Sequence, residues 1–292
     1  MVGDENLITL SKSRLNAYIQ CPEKYYLGYE LNIRPLKANP SMVEGSALHH
    51  LVESGVLYGK HIDLDKLLNL ASERLWESTP FETTDYLDIE LYNLAQKTCL
   101  SEAKAFLSQI GELEATAMEQ YGQVQLIDPI TQKINPEIYL QGYIDLIDVV
   151  NDSQRLIDIK TTSRKPLPNM AELALELTLY AYLTTYPDFN DQSVALLHLI
   201  RTKEPKISWD ESTRNLVDYL ELANLCKNIA INIIEGRYWK NPGMHCSYCD
   251  YYSLCYRQDT LALEKFGEKA VAHYFTEKEV FIPPKELLWN LQ

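Results

Sequence analysis

Two carboxylates and one ammonium group are predicted to meet on neighbouring strands. Asp145 lies in one short apolar segment, and Asp158 and Lys160 lie in the next. Because side chains alternate along a strand, Asp158 and Lys160 face the same side, and the carbonyl of Ile159 lies near the carboxylate. Two nearby carboxylates repel each other, and a hard divalent cation such as Mg²⁺ or Mn²⁺ relieves that repulsion. The pattern predicts a metal site beside a lysine that stabilises hydroxide or phosphate charge; an ordinary Asp158–Lys160 surface ion pair is the alternative.

A predicted helix carries a second group of candidate ligands. Gly45, His49 and Glu53 follow one another at four-residue spacing and therefore share one helix face. The small residue permits close backbone approach. His49 can supply a nitrogen ligand, and Glu53 can supply a further carboxylate or orient the site. A local pair between the histidine and the glutamate is the alternative interpretation.

Four of the six cysteines form a one-plus-three pattern. Cys21 stands alone, whereas Cys246, Cys249 and Cys255 lie close together in a segment rich in Tyr, Asp and Ser. Structural zinc sites usually draw their ligands as two close pairs, and the ligand spacings of four-iron, four-sulfur clusters are less regular. The pattern favours a 4Fe-4S cluster that joins the two ends of the domain. A zinc site, for which the adjacent His245 argues, and four unrelated buried cysteines stay open as alternatives.

The other two cysteines need no chemical role. Cys99 and Cys226 each lie on an apolar helical stripe. Both are therefore predicted to be core residues.

Composition limits the classes of function. The chain has 292 residues, 46% of them hydrophobic, and a formal net charge of −14. Its length suits one elaborated domain or two small ones. The negative charge argues against indiscriminate binding to nucleic acid, because Lys and Arg contacts to phosphate supply most of that affinity. Any such contact must use local basic patches, of which there are three: Lys160, Arg164 and Lys165; Arg201, Lys203 and Lys206; Arg237 and Lys240. The alternative is that these patches are merely solvated surface.

No apolar run is long enough to span a membrane, and the first residues do not have the pattern of a secretion signal. The expected location is therefore the cytoplasm. In that reducing compartment, metal binding or burial explains six cysteines better than disulfides do.

Hydrophobic periodicity predicts an α/β protein. A helix is expected to run from Ser11 or Ser13 into the Cys21-Pro22 break. Further helices are expected over 45–56, 170–185 and 211–235, and helical periodicity extends over 64–120. Strands are expected over 123–127, 138–150, 156–161 and 194–201. The predicted divisions are an N-terminal helical segment (1–44), a motif helix with a helical insertion (45–120), an α/β core (121–238) and a cysteine segment with a tail (239–292).

Together these residues resemble the RecB-like branch of the PD-(D/E)XK nuclease superfamily, and specifically its iron–sulfur members. That group includes CRISPR-adaptation exonucleases and the nuclease domains of AddB-type helicase–nucleases. The resemblance runs from about Ser11 to Arg257 and rests on five matches: Cys21, Gly45-x3-His49-x3-Glu53, Gly142 to Asp145, Asp158 to Thr162, and the three C-terminal cysteines. It implies a restriction-endonuclease-like core, a mixed central sheet flanked by helices, with a helical insertion and an iron–sulfur subdomain.

The resemblance also implies roles for individual residues. His49, Asp145, Asp158 and the Ile159 carbonyl would bind Mg²⁺ or Mn²⁺, and Lys160 would assist the nucleophile. The catalytic set would be Asp145, Asp158 and Lys160, supported by Glu53, Glu176 and Tyr180, and the 4Fe-4S ligands would be Cys21, Cys246, Cys249 and Cys255.

One position departs from the family pattern. The family has a Gln-x3-Tyr helix; here Tyr180 fits, but Glu176 stands at the glutamine position. A glutamate places negative charge near phosphate, although it can instead pair with Lys160 or Arg164.

The function implied is a metal-dependent DNA nuclease, an exonuclease on single-stranded ends, with a helicase or a CRISPR-adaptation protein as partner. The DNA bases would stack on four tyrosines among the cysteines: Tyr248, Tyr251, Tyr252 and Tyr256. The alternative is that these rings pack around the cluster. The alternative function is a catalytically weak or inactive iron–sulfur subunit that binds DNA or supports assembly in repair or CRISPR adaptation. The acidic charge and Glu176 favour that alternative.

Overall fold

The computed structural model describes residues 7–111 and 113–280, with side chains to residue 277. The chain forms two compact units. The described part of the first, which we call the sheet unit, comprises residues 7–12, 38–111 and 113–231. That of the second, which we call the cysteine unit, comprises residues 13–37 and 232–280.

The sheet unit is built on one mixed sheet of six strands. The strands are β1 (Ile8–Ser11), β2 (Ala115–Ile127), β3 (Ile134–Val150), β4 (Ser153–Thr162), β5 (Gln192–Ile200) and β6 (Lys206–Arg214). Their order is β1-β3-β4-β5-β6, and β2 also pairs with β3. The β1–β3 and β4–β5 pairs are parallel and the others antiparallel. With helices packed against the sheet, this is the α/β architecture that the sequence predicts.

The helices are α1 (Lys12–Gln20), α2 (Pro22–Tyr25), α3 (Pro40–Tyr58), α4 (Leu64–Ser78), α5 (Ile89–Ile110), α6 (Met170–Leu173), α7 (Leu175–Thr185), α8 (Leu216–Ile234), α9 (Tyr252–Cys255), α10 (Asp259–Phe266) and α11 (Glu268–Val280). A π-helical segment, Tyr26–Glu30, follows α2, and short 3-10 turns occur at Phe81–Thr83 and Met244–Tyr248. Within the described residues, no helix combines the length and apolar character needed to cross a membrane.

Helix α3 forms the centre of the main hydrophobic core. Asn39 caps its first turn by accepting a hydrogen bond from the Ser41 amide, and Pro40 occupies its first position. Its apolar face packs with α4 and α5 against buried side chains of β4 and β5, among them Ile157, Ile159 and Leu197. Cys99 is part of this core, and Cys226 is also fully buried in the sheet unit. Both cysteines are core residues, as predicted.

The cysteine unit has a smaller core of its own. Leu27 and Ile33 from the N-terminal segment pack with Leu254, Phe266 and other buried residues of the C-terminal segment. Two segments that are distant in sequence therefore fold into one unit.

The predicted helix over 211–235 is wrong at its beginning. Residues 206–214 form β6, which pairs with β5 along nine residues, and the helix begins only at Leu216. The segment Lys-Ile-Ser-Trp-Asp-Glu-Ser-Thr-Arg has too few apolar residues to show a clear strand pattern, and its ladder to a buried strand decides its structure.

Three other elements differ from the predictions. Strand β2 begins at Ala115, inside the stretch 64–120 that is predicted to be helical, because it pairs with β3 along its length. Strand β1, only four residues long, was not expected before the first helix. The helix predicted over 170–185 is interrupted at Ala174, where the buried guanidinium of Arg214 donates to the carbonyls of Ala171 and Ala174. These bonds satisfy carbonyl groups that a continuous helix would have used itself.

Candidate active site

The candidate site lies where β1 and β4 diverge along the same edge of β3. Strand β1 pairs with residues 138–141 of β3, and β4 pairs with residues 146–150, while β2 covers the opposite edge. Residues 142–145 therefore lie between the two partners, and we call this gap the fork. Asp145 is the last residue of the fork, and Asp158 follows the β4 residues that pair with β3. The two predicted carboxylates are thus placed at one point of the sheet.

Three candidate ligands cluster at the fork. Ligand atoms of His49, Glu53 and Asp145 all lie within 4.8 Å of one another. His49 Nδ1 is 3.4 Å from Glu53 Oε1 and 3.6 Å from Asp145 Oδ2, and its Nε2 contacts the Ile159 carbonyl oxygen. Asp145 Oδ2 accepts a hydrogen bond of 2.8 Å from the Ile159 amide. Oxygen atoms and one imidazole, gathered in this way, suit a hard divalent cation.

Gly45 brings the ligand-bearing helix close to β4. A Cβ atom at this position would lie 3.3 Å from Thr161 Oγ1, closer than ordinary van der Waals contact. The absence of a side chain lets α3 approach the strand, as expected from the Gly-x3-His-x3-Glu spacing. His49 and Glu53, one and two turns later, then reach Asp145.

Asp158 lies between two lysines. Its side chain is fully buried, with Lys12 Nζ 2.6 Å from Oδ1 and Lys160 Nζ 2.7 Å from Oδ2. The Tyr180 hydroxyl also donates to Oδ1, at 3.4 Å. Lys160 Nζ is 2.5 Å from Glu176 Oε1, so of the two pairings that the sequence suggested for Glu176, the structure forms the one with Lys160.

Lys12 is the residue at this site that the sequence did not reveal. It follows the last residue of β1, and the β1–β3 register places it at the fork. Only a prediction of β1 could have placed Lys12 here. This strand has four residues and precedes a strongly helical segment, so its sequence shows no clear strand pattern.

The ionisation of these groups shows how the site manages its negative charge. Burial and the nearby Asp158 raise the pKa of Asp145 to about 7. For His49, burial lowers the pKa, but the hydrogen bond to Glu53 and the charge of Asp145 outweigh it, and the pKa is raised. For Asp158, burial raises the pKa, but the charges of Lys160 and Lys12 outweigh it, and the pKa is lowered. Without a metal ion, protons on Asp145 and His49 take up negative charge that a cation would otherwise balance.

A buried oxygen without a partner provides a test of whether a cation fits. Glu53 is 1% exposed, and its Oε2 has no hydrogen-bond partner within the described residues. An unpaired buried carboxylate oxygen is costly, and a metal ion beside it removes that cost. His49, Glu53 and Asp145 could therefore hold a divalent cation, with Asp158 and the Ile159 carbonyl beside them.

The sequence matches the PD-(D/E)XK nuclease superfamily over residues 9–256. The chain belongs to this superfamily. PD-(D/E)XK nucleases use divalent metals and act on DNA, which agrees with the donor set at the fork.

Two solved structures are similar to this PD-(D/E)XK protein. A candidate exonuclease from Eubacterium rectale is 10% identical, with a TM-score of 0.54, over 86% of this chain and 93% of the other. The protein SSO0001 is 14% identical, with a TM-score of 0.38, over 87% of this chain and 88% of the other. The first likeness shows a shared fold.

The basic patches of this PD-(D/E)XK protein are partly internal. Arg201 is bound to Glu44 at 2.7 Å and to Glu102 at 2.8 Å, so its charge is used within the fold. Lys160 is held by two carboxylates. Neither residue is a free phosphate contact in this structure.

The four remaining cysteines line one cavity within the cysteine unit. Cys21 contributes from one segment, and Cys246, Cys249 and Cys255 from the other. All four thiols are free, and Cys21 Sγ accepts a 3.4 Å hydrogen bond from the Asn241 amide. Burial raises the pKa of Cys255 to about 12 and also raises that of Cys249. Metal binding would displace protons from these thiols.

The sulfur separations bear on which metal fits. A zinc ion holds its sulfurs at about 2.3 Å, which in a tetrahedron puts them about 3.8 Å apart. Within the described residues, no three of the cysteine sulfurs and His245 nitrogens lie within 4.8 Å of one another. These donors are thus not gathered as tightly as the ligands of a bound zinc ion.

The tyrosines among these cysteines divide into two sets. Tyr251 is buried and donates a 2.9 Å hydrogen bond to the Ile33 carbonyl, so its ring packs in the small core. Tyr252 and Tyr256 stack on each other with centroids 4.7 Å apart, and Tyr248 is exposed. Tyr251 is therefore not available to stack on a base.

Proposed function

We propose that this protein is a divalent-metal-dependent DNA nuclease that cleaves single-stranded ends as an exonuclease. The observation that carries the proposal is the convergence of Asp145, Asp158 and Lys160 at the fork, beside His49 and Glu53. This is a buried, oxygen-rich site with a lysine at its edge. The name of the Eubacterium rectale protein supports exonuclease activity as the type to test first.

Each side chain has a role that follows from its contacts. His49, Asp145, Asp158 and the Ile159 carbonyl would hold Mg²⁺ or Mn²⁺. When bound, the cation would lower the pKa of a water molecule and neutralise charge on the phosphate. Lys160, fixed by Asp158 and Glu176, would orient that water and stabilise the developing charge. Glu53 would position His49 through Oε1 and offer its unpaired Oε2 to the cation, and Tyr180 would position Asp158.

A neutral surface on β2 and β3 supports a single-stranded substrate. Six residues alternate outward in register, and we call them the Tyr–Gln face: Tyr121, Gln123 and Gln125 on β2, opposite Tyr143, Gln141 and Tyr139 on β3. Hydrogen bonds of 3.1 to 3.2 Å link Gln123 to Gln141 and Gln125 to Tyr139, and the Tyr121 hydroxyl donates diagonally to Gln141. The rings of Tyr121 and Tyr143 lie 5.0 Å apart and are 48% and 61% exposed.

The Tyr–Gln face leads directly to the fork. Tyr143 precedes Asp145 by two residues, a distance of about 7 Å along a strand, which is close to the spacing of one extended nucleotide. Aromatic rings stack on any exposed base, and single strands expose their bases. Stacking and amide hydrogen bonds do not require positive charge, which suits a chain with a net charge of −14.

For the cysteine unit we propose a structural 4Fe-4S cluster bound by Cys21, Cys246, Cys249 and Cys255. Four thiols around one cavity supply the number of ligands that such a cluster takes. Their one-plus-three spacing along the chain, in place of two close pairs, favours it over a single zinc ion. The amide of Asn241 donates to Cys21 Sγ, a kind of contact that stabilises thiolate ligands.

The test is cleavage of end-labelled single-stranded DNA by anaerobically purified protein, with EDTA, Mg²⁺ and Mn²⁺ in parallel. We expect loss of label with metal only, and no cleavage by Lys160→Ala or Asp145→Ala. Lys104→Ala, which removes an exposed lysine paired with Asp65, is the matched control and should cleave normally. Metal-dependent cleavage retained by both active-site variants would defeat the assignment.

A second candidate function is a non-catalytic DNA-binding or assembly subunit. The observation that favours it is the 2.5 Å pair between Lys160 and Glu176, which neutralises the lysine. Such a subunit would bind single-stranded DNA equally with and without Mg²⁺ and leave its ends uncut. A helicase or CRISPR-adaptation partner stays a prediction of the resemblance.

A further inference from the structure

Each oxygen of Asp158 lies within ion-pair distance of one ammonium group. Lys12 holds Oδ1 and Lys160 holds Oδ2, at 2.6 and 2.7 Å. The close cluster of candidate ligands contains His49, Glu53 and Asp145, whereas Asp158 lies between the two lysines. Two ammonium groups at this distance compete electrostatically with a metal ion for the same carboxylate.

The two lysines are not equivalent. Lys160 has a second carboxylate, Glu176, at 2.5 Å, so leaving Asp158 would break a network of three charges. Within the described residues, Lys12 pairs with one carboxylate, Asp158; its side chain is 30% exposed, and its ammonium lies over the Tyr180 ring, 5.9 Å from the centroid. The two lysines are about equally exposed, at 30% and 32%, so the smaller number of carboxylate partners makes Lys12 the cation whose release costs less.

We propose that Lys12 is a second active-site cation, which holds Asp158 in the metal-free protein and turns toward the DNA phosphate when Asp158 serves as a metal ligand. The inference rests on the proposed nuclease function. Lys12 is thus both a competitor of the metal for Asp158 and a positive group for the substrate. It compensates for Glu176, which takes up the charge of Lys160.

The charges at the fork agree with this role. Four carboxylates are present: Glu53, Asp145, Asp158 and Glu176. Lys12, Lys160 and one divalent cation balance them when His49 is neutral. If Lys12 is removed, one negative charge is left over, and a cation is attracted more strongly.

The proposal predicts effects of opposite sign on two measurements. For Lys12→Met we expect Mn²⁺ to bind the metal-free protein about fivefold to tenfold more tightly in calorimetry, as loss of one nearby positive charge implies. We expect the same variant to cleave single-stranded DNA about tenfold more slowly, because the phosphate loses a cation. Lys12→Arg should restore most of the cleavage. A residue that merely supports the fold would weaken both metal binding and cleavage when removed.

Controls keep the outcomes distinct. Lys104→Met removes a lysine from another ion pair and should change neither quantity. Lys12→Gln retains a polar side chain of intermediate length, and provides the same comparison if the Met variant does not fold. Unchanged or weaker Mn²⁺ binding in the folded Lys12 variants would overturn the proposal, and so would unchanged cleavage. If the wild-type protein cuts no DNA, the nuclease proposal fails separately, and the calorimetry still decides whether Lys12 competes for Asp158.

Discussion

Lys160 Nζ lies 2.5 Å from Glu176 Oε1, and Glu176 stands at the position where the family resemblance places a glutamine. For Lys160, burial lowers the pKa, but the charges of Asp158 and Glu176 outweigh it, and the pKa is raised. The lysine therefore remains protonated, and its charge is shared between two carboxylates.

Replacing Glu176 by glutamine is expected to increase cleavage. Glu176→Gln removes one negative charge beside the phosphate and leaves Lys160 with Asp158 as its carboxylate partner, so we expect kcat to rise about threefold to tenfold. Steady-state cleavage of single-stranded DNA measures this. Glu172→Gln, at an exposed position of α6, is the control. A fall in kcat would mean that Glu176 is needed to hold Lys160 in place.

The metal-free protein should lose stability as pH rises through neutrality. The pKa of Asp145, about 7, lies above its ordinary value of 3.8, and that of His49 is also raised. The folded state thus binds more protons than the unfolded state, and this contribution to stability, complete at low pH, is lost as pH rises through the folded pKa. In EDTA, the free energy of unfolding should fall between about pH 5 and about pH 8.

A divalent cation should suppress that loss, because it balances the charge that the protons balanced. Differential scanning calorimetry should therefore show that Mn²⁺ raises the Tm more at about pH 8 than at about pH 5. Asp145→Asn should remove most of this difference. An equal Mn²⁺ effect at both pH values would contradict the prediction.

Removal of one ring from the Tyr–Gln face should weaken substrate binding. Tyr143→Ala is expected to raise KM for single-stranded DNA about tenfold and to leave kcat nearly unchanged, since stacking on one base is worth about 1–3 kcal/mol. Tyr58→Ala, another exposed tyrosine, should leave KM unaltered. A drop in kcat alone, with KM constant, would count against a stacking role for Tyr143.

Removal of one cavity cysteine should abolish iron binding. Cys255→Ala is expected to yield colourless, poorly soluble protein, because the cluster would join segments that are far apart in sequence. Iron and sulfide analysis with electron paramagnetic resonance tests this on anaerobic protein. Cys226→Ala, in the core of the sheet unit, should remain brown. Stoichiometric zinc without sulfide in the wild type would replace the cluster proposal with the zinc alternative.

Local patterns in the sequence are sufficient for part of the site. The alternation of Asp158, Ile159 and Lys160 placed two polar groups on one side of β4 and an apolar residue on the other, and Ile159 is indeed buried against α3. The four-residue spacing of Gly45, His49 and Glu53 likewise follows from one helix. These relationships involve residues close in sequence, so the period of a strand or a helix determines them.

Weaker local signals gave errors. Strand β6 has no continuous apolar pattern, and its ladder to β5 decides its structure. The break at Ala174 depends on Arg214, which lies 40 residues away. Neither could be deduced from its own segment.

By itself, the sequence determined which residues could bind metal and which elements carry them: two carboxylates on successive strands, a histidine and a glutamate on one helix face, and four cysteines outside the apolar segments. Only the tertiary structure decided that Lys12 reaches Asp158, 146 residues away, and that Glu176 takes one side of Lys160. The physical reason is that strand register and helix packing set these distances. The fork between β1 and β4 exists only once three strands have paired, and no single segment encodes it.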